Sequence, residues 1–207
     1  WNMTDKNGAT WRSADELLAQ ALRYRTYWKN GGGITVSGGE PLLQIDFLLD
    51  LFKKAKAKGI HTTIDTAGGP FTREEPFFSK FQELMQYTDL LLVDIKHIDE
   101  KSHKELTGKT NKNILDMIRF LSDIKKPVWI RHVLVPERSD YDEYLNRLND
   151  FIQTLDNVER VEILPYHTLG AYKWKELGIP YKLEGVEPPT EERIQNAKKI
   201  LEFNKYK

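Results

Sequence analysis

Ile34-Thr35-Val36-Ser37-Gly38-Gly39-Glu40-Pro41 decides the fold. The β-branched run Ile-Thr-Val favours an extended strand. Gly38 and Gly39 then make a tight polar turn in which backbone N–H groups approach a ligand without Cβ obstruction. Glu40 puts a carboxylate where the strand ends, and Pro41 suits the first turn of the helix pattern that follows from Leu42. Strand, polar turn and helix form a β-α unit, and parallel sheets bind ligands at the C-terminal ends of their strands.

The same rhythm runs outward in both directions. Upstream, Ser13 followed by Glu16 is a capping-box signature, and the apolar spacing predicts a helix over 14–28, ended by Asn30 and the glycines after it. Downstream, a helix is expected over 43–58 with Gly59 closing it, then a strand over Ile60–Asp65 and a third helix through Phe77, Phe81 and Leu84. Leu90-Leu91-Leu92-Val93-Asp94 reads as a strand covered on both faces. A helix over 112–124, a strand over Pro127–Val135, a helix over 140–154 and a strand over Val158–Leu164 follow. A loop is expected from Pro165 to about Pro189, then a last helix over 190–203. Five strands alternating with six helical segments mean parallel α/β architecture. No linker, low-complexity tract or sequence repeat appears, so residues 1–207 are read as one domain.

Composition narrows the function. Charged residues make up 30% of the chain, 31 basic against 31 acidic, which gives none of the basic excess of a nucleic-acid protein. No apolar run of about 18 residues is present to span a membrane, and no signal peptide is visible, so a cytoplasmic location is expected. The absence of cysteine excludes disulfides and thiolate metal ligation by this sequence. There is no G-x-S-x-G elbow, no P-loop lysine and no G-x-G-x-x-G.

Every strand closes in residues fit to bind something. Ser37, Gly38, Gly39 and Glu40 offer backbone donors and one carboxylate. That set suits an amino-acid group with both ammonium and carboxylate, such as that of S-adenosylmethionine (SAM); the alternative is a tight β-α turn with no ligand. Asp65 and Asp94 end neighbouring strands, so their carboxylates, with the Thr66 oxygen, suit a hard cation or a basic partner; otherwise they are separate caps or turn acceptors. Lys96, two residues after Asp94, is a natural partner for a carboxylate, or a solvated lysine. Arg131 could grip a carboxylate bidentately or join a structural network. His167 opens the long loop and is the histidine placed to meet a nucleobase or ribose. His132 and His97 are weaker candidates, and His61 and His103 read as structural. No two histidines have zinc-site spacing.

Taken together, Gly31–Gln44, Gly59–Thr66, Asp94-Ile95-Lys96, Val128–Arg131 and Leu164–His167, with Leu169, Gly170, Lys173 and Trp174, resemble the pyruvate formate-lyase activating enzymes. These are radical SAM oxidoreductases of the glycyl-radical activating family. The resemblance covers essentially the whole chain. It implies a partial, open (β/α)6 barrel in which a [4Fe-4S] cluster reduces SAM to a 5′-deoxyadenosyl radical. That radical takes a hydrogen from a glycine of pyruvate formate-lyase, in anaerobic glucose metabolism. A flavodoxin- or ferredoxin-type reductant is implied as a second partner. By resemblance, Ser37, Gly38, Gly39 and Glu40 hold the SAM amino group. Lys96 and Arg131 hold its carboxylate end, His167 meets the nucleoside, and Asp94 and Ile95 are further cofactor-binding residues. Asp65, Thr66, Asp94 and the Leu92 carbonyl would hold a monovalent cation. Tyr166, Tyr172, Trp174 and Tyr181 could contact the protein substrate, or else pack within their own loop.

One departure stands out. The family's CxxxCxxC loop is absent, so the iron–sulfur ligands are missing. Trp1 resembles the tryptophan that follows that loop in relatives. The chain is therefore expected to begin just after it and to lack the first barrel strand, which would expose a sheet edge beside Ile34–Ser37. Two other readings stay open. One is a cluster-free module that docks a glycyl-radical enzyme or holds a SAM-like ligand without chemistry. The other is a small-molecule β/α-barrel enzyme using Asp65, Asp94 and Lys96 as acid/base groups.

Overall fold

The computed structural model describes residues 10–28 and 31–206. Trp1 and Asn30, to which the sequence reading gives roles, lie outside the described residues. The fold is α/β, and two compact units divide between Val93 and Asp94.

In the first unit, Ser13 caps helix α1 (Ala14–Leu22), its Oγ accepting from the Glu16 amide while Glu16 accepts from the Ser13 amide. The expected helix over 14–28 stops early because Tyr24 leaves the helical region, and Arg25–Tyr27 is a 3-10 turn. Strand β1 (Gly33–Val36) pairs in parallel with β2 (His61–Thr66), and β2 with β3 (Leu90–Asp94). Gly33 sits against its partner His61 so closely that a Cβ there would lie 1.9 Å from the His61 carbonyl oxygen. After β1, Pro41–Gln44 forms a 3-10 turn that leads into α2 (Ile45–Lys56). Leu48, Leu51, Phe52 and Ala55 of α2 are fully buried, as are Phe81 and Leu84 of α3 (Phe77–Gln86). Phe71 packs edge-on against Phe81, with centroids 5.1 Å apart. Asp89 fastens the entry to β2: its carboxylate takes the Lys56 ammonium at 2.8 Å and the Thr62 amide at 2.8 Å.

In the second unit, β4 (Val128–Leu134) and β5 (Val158–Pro165) pair in parallel over their whole length. Burial alternates along β4, so Val128, Ile130, His132 and Leu134 face the core while Trp129, Arg131 and Val133 are half-exposed. Their partners Arg160, Glu162 and Leu164 lie opposite them. Helices α5 (Lys112–Asp123) and α6 (Asp142–Gln153) bury Met117, Ile118, Leu121, Leu145 and Ile152.

Two helices depart from the expected plan. α4 (Glu100–Thr107) buries only His103, so it carries no apolar period to read, although Asp99 caps its start and left-handed Gly108 its end. The segment expected to be loop from Pro165 to about Pro189 contains a 3-10 turn, Thr168–Gly170, and helix α7 (Ala171–Glu176), which buries no residue. The last helix, α8 (Glu191–Ile200), starts one residue after its cap Thr190.

Candidate functional site

The Ser37–Glu40 turn owes its shape to backbone angles open to glycine: Gly38 has φ +94° and Gly39 φ +49°. Ser37, Gly38 and Gly39 are exposed, and Glu40 is half-buried. Glu40 ties the end of β1 to the end of β2. Its Oε1 accepts from the Leu42 amide at 3.1 Å and from Thr66 Oγ1 at 2.5 Å, and its Oε2 accepts from the Ala67 amide at 3.0 Å. Thr66 Oγ1 in turn accepts from the Gly68 amide at 2.8 Å. A carboxylate has about four acceptor positions, so three bonds leave Glu40 one for an ammonium. The β2–β3 register sets Asp65 opposite Leu92 and Thr66 opposite Val93.

In the second unit, Asp94 lies between two cations. Lys96 Nζ donates to Oδ2 at 2.6 Å and Arg131 Nε to Oδ1 at 2.8 Å. The side chains of Asp94 and Arg131 are 13% and 17% exposed, so this charge is only partly screened. One carboxylate thus holds a lysine and an arginine together. Glu162, opposite Arg131, is balanced by Arg160, whose guanidinium stacks on Trp129 at 4.1 Å.

Consecutive residues of β4 grip the residue between Asp94 and Lys96. The Ile95 amide donates to the Arg131 carbonyl at 2.9 Å, and His132 Nδ1 lies 2.8 Å from the Ile95 carbonyl. His97 accepts from the Asp99 amide at Nδ1 (3.0 Å), so its proton is on Nε2, which donates to the Arg138 carbonyl at 3.2 Å. Burial pushes the imidazoles of His97, His103 and His132 below their ordinary value. Among the five histidines these three are structural in their contacts. His167, by contrast, is exposed and makes no hydrogen bond among the described residues.

Beside His167, the Tyr166 hydroxyl meets that of Tyr181 at 2.7 Å, and burial together with this bond pushes Tyr166 up to about 12. Tyr181 also lines a cavity of about 560 Å³ with Tyr172, Ile179 and Leu183, and Trp174 leans on Tyr181 at 5.7 Å.

The geometry thus joins Glu40 with Thr66, and Asp94 with Lys96 and Arg131. No described contact joins His167 to that trio. Sequence reasoning gave Glu40 and Thr66 to different ligands and missed their mutual bond, which no spacing rule announces. Within the first unit the open acceptor of Glu40 suits an ammonium group. A [4Fe-4S] cluster does not fit, because its ligands are thiolates and this sequence has none. No group of three or more His, Cys, Asp or Glu side chains able to hold a metal occurs among the described residues. No helix among them is long and apolar enough to cross a membrane.

Comparison with known proteins gives consistent results. The model of the Radical SAM superfamily matches residues 2–151. The pyruvate formate-lyase-activating enzyme of Streptococcus mutans is 54% identical over 206 residues, covering 100% of this chain and 78% of that protein. Its counterpart in Listeria monocytogenes serovar 1/2a is 53% identical over 199 residues, 96% of this chain and 80% of that one. Among solved structures, a domain of pyruvate-formate lyase-activating enzyme from Bacteroides vulgatus superposes with a TM-score of 0.68 at 29% identity, covering 86% of this chain and 97% of that one. A radical SAM methyltransferase from Sphaerobacter thermophilus shares the fold, with a TM-score of 0.62 at 18% identity.

Proposed function

The chain belongs to the radical SAM superfamily and, within it, to the pyruvate formate-lyase-activating enzymes, and on that premise we propose that these residues form the SAM-holding part of a glycyl-radical activase. The backbone carbonyls of Ser37, Gly38 and Gly39, with the open acceptor of Glu40, take the methionyl ammonium. Lys96 and Arg131, held by Asp94, take the carboxylate, Ile95 supplies the backbone between them, and exposed His167 meets the nucleoside. The observation that carries this reading is the Asp94–Lys96–Arg131 trio, in which one largely buried carboxylate fixes a lysine and an arginine whose other N–H groups suit a carboxylate ligand.

The activase reaction takes a hydrogen atom from a glycine of pyruvate formate-lyase, using a 5′-deoxyadenosyl radical from reductively cleaved SAM. This sequence holds no ligand for the cluster that supplies the electron, so no step of that cleavage is assigned to its residues. The protein substrate would meet the aromatic segment of Tyr166, Tyr172, Trp174 and Tyr181, and a flavodoxin- or ferredoxin-type protein would supply reducing equivalents in the cytoplasm. A monovalent cation beside SAM would take oxygens from Asp65, Thr66, Leu92 and Asp94. Its weakest member is Asp94, whose two oxygens already hold Lys96 and Arg131.

The absence of cysteine favours a second reading, a module that binds SAM or docks a glycyl-radical enzyme without chemistry. Titration calorimetry of the iron-free chain with SAM tests the shared core of both. Saturable binding weakened about tenfold or more by Arg131→Ala is expected. No binding, or binding indifferent to Arg131, refutes the assignment of the site.

A further inference from the structure

We propose that His132 is a positioning residue for Lys96: its imidazole fixes the Ile95–Lys96 peptide and thereby aims the lysine ammonium at the ligand carboxylate. The inference rests on the SAM reading above, but its evidence is local geometry.

A peptide unit is planar, so the Ile95 carbonyl and the Lys96 nitrogen turn together. Holding the carbonyl sets the direction in which Lys96 leaves the chain. Three things hold it. The Ile95 side chain is buried, with 1% of its surface exposed. The Ile95 amide is bonded to the Arg131 carbonyl. The Ile95 carbonyl, beyond the last residue of β3, takes its donor from the His132 side chain at 2.8 Å.

The ring is itself held by a rigid turn. His132 Nε2 lies 3.2 Å from the Ser139 carbonyl. The Ser139 hydroxyl donates to the Val133 carbonyl at 2.7 Å and accepts from the Val135 amide at 2.9 Å. Both ring nitrogens therefore face carbonyl oxygens, and a neutral imidazole has one proton to give. The shorter contact assigns that proton to Nδ1 and directs it at Ile95. Further along the same segment, Asn111 Nδ2 donates to the carbonyls of His97 and Ile98 at 3.0 and 2.8 Å. Side chains thus pin carbonyls on both sides of Lys96, and the His132 bond is the one on the peptide that Lys96 shares.

The test uses the full chain, with His132→Leu to remove the donor and His132→Asn to keep one. In ¹⁵N NMR of the wild type, His132 should be protonated at Nδ1; an Nε2–H tautomer would overturn the proposal. Exchange of the Ile95 amide should quicken about tenfold in the leucine variant and recover in the asparagine variant; unchanged exchange in the leucine variant would overturn it. Calorimetry with SAM and with decarboxylated SAM reads the functional consequence. The wild type should prefer SAM about tenfold, the leucine variant should lose most of that preference, and the asparagine variant should regain it. Equal weakening of both ligands by His132→Leu would mean a purely structural histidine and would refute the proposal. A wild type that binds both ligands equally, or neither, would refute the carboxylate assignment of Lys96 and Arg131; the tautomer and exchange results then decide the role of His132 on their own. Should His132→Leu fail to fold, the wild-type tautomer still decides.

Discussion

Thr66 Oγ1 donates to Glu40 Oε1 at 2.5 Å, joining the turn after β1 to the end of β2. The same hydroxyl accepts from the Gly68 amide, so one oxygen braces two loops. Thr66→Val keeps the shape and removes both bonds, in a side chain that is 2% exposed. A loss of about 1–3 kcal/mol in urea unfolding is expected, because two polar partners lose their bond. Ser at this position should restore most of it. A valine variant as stable as the wild type would show that the brace is idle.

Asp94 should be the most costly single charge to neutralise in the second unit. In Asp94→Asn, Lys96 and Arg131 keep their charges and both lose the carboxylate that holds them, and the Arg131 side chain is only 17% exposed. Leaving one half of a largely buried pair alone costs about 3 kcal/mol. Replacing Lys96 and Arg131 singly, by Gln in each case, should cost less, because one cation then still balances Asp94. Denaturant midpoints of the three variants give the comparison, and an Asp94→Asn variant that ranks last in cost would contradict the charge reading.

Acid should weaken the fold in two stages. Burial holds His97, His103 and His132 below the ordinary value of 6.5. The unfolded chain takes up protons there before the folded one does, so stability is complete above about 6.5 and falls as the pH drops towards the folded values. For Asp89, burial alone would raise the carboxyl, but Lys56 and Thr62 together outweigh it and hold it below 3.8. Asp99 is likewise held below 3.8, first by the Ser102 amide. Their contribution is present above 3.8 and is lost as pH falls further. Melting temperatures across this range should show both declines. A flat profile between pH 7 and about 5 would mean that these imidazoles titrate alike folded and unfolded.

Tyr166 offers a spectroscopic check on the aromatic segment. Its hydroxyl should ionise near 12, held up by burial and by Tyr181. Tyr181→Phe removes the hydroxyl partner and should bring the value down in an ultraviolet titration. A Tyr166 that already titrates like free tyrosine in the parent chain would place the two hydroxyls apart in solution.

Much of this was legible in the residues. Leu90–Asp94 forms a strand with the bounds that its apolar run announces, because five uninterrupted residues leave no ambiguity of ends. The capping box at Ser13 and the helix from Thr190 follow from local hydrogen bonding that a short window contains. α4 and α7 were missed because an exposed helix needs no apolar period, and each buries at most one residue. The closeness of Lys96 to Asp94 follows from their spacing of two, whereas the acid that Arg131 meets lies 37 positions away and no local window names it. His132 was ranked low for the same reason: its role lies in a carbonyl 37 positions away.

Gly33 has a different lesson. The carbonyl of His61 fills the space where any side chain would begin. A saturation-mutagenesis survey would record this position as intolerant of every replacement, the same mark left by residues that touch a cofactor. Ranking sites by tolerance alone would draw Gly33 into the chemistry, when what it supplies is room for a neighbouring strand.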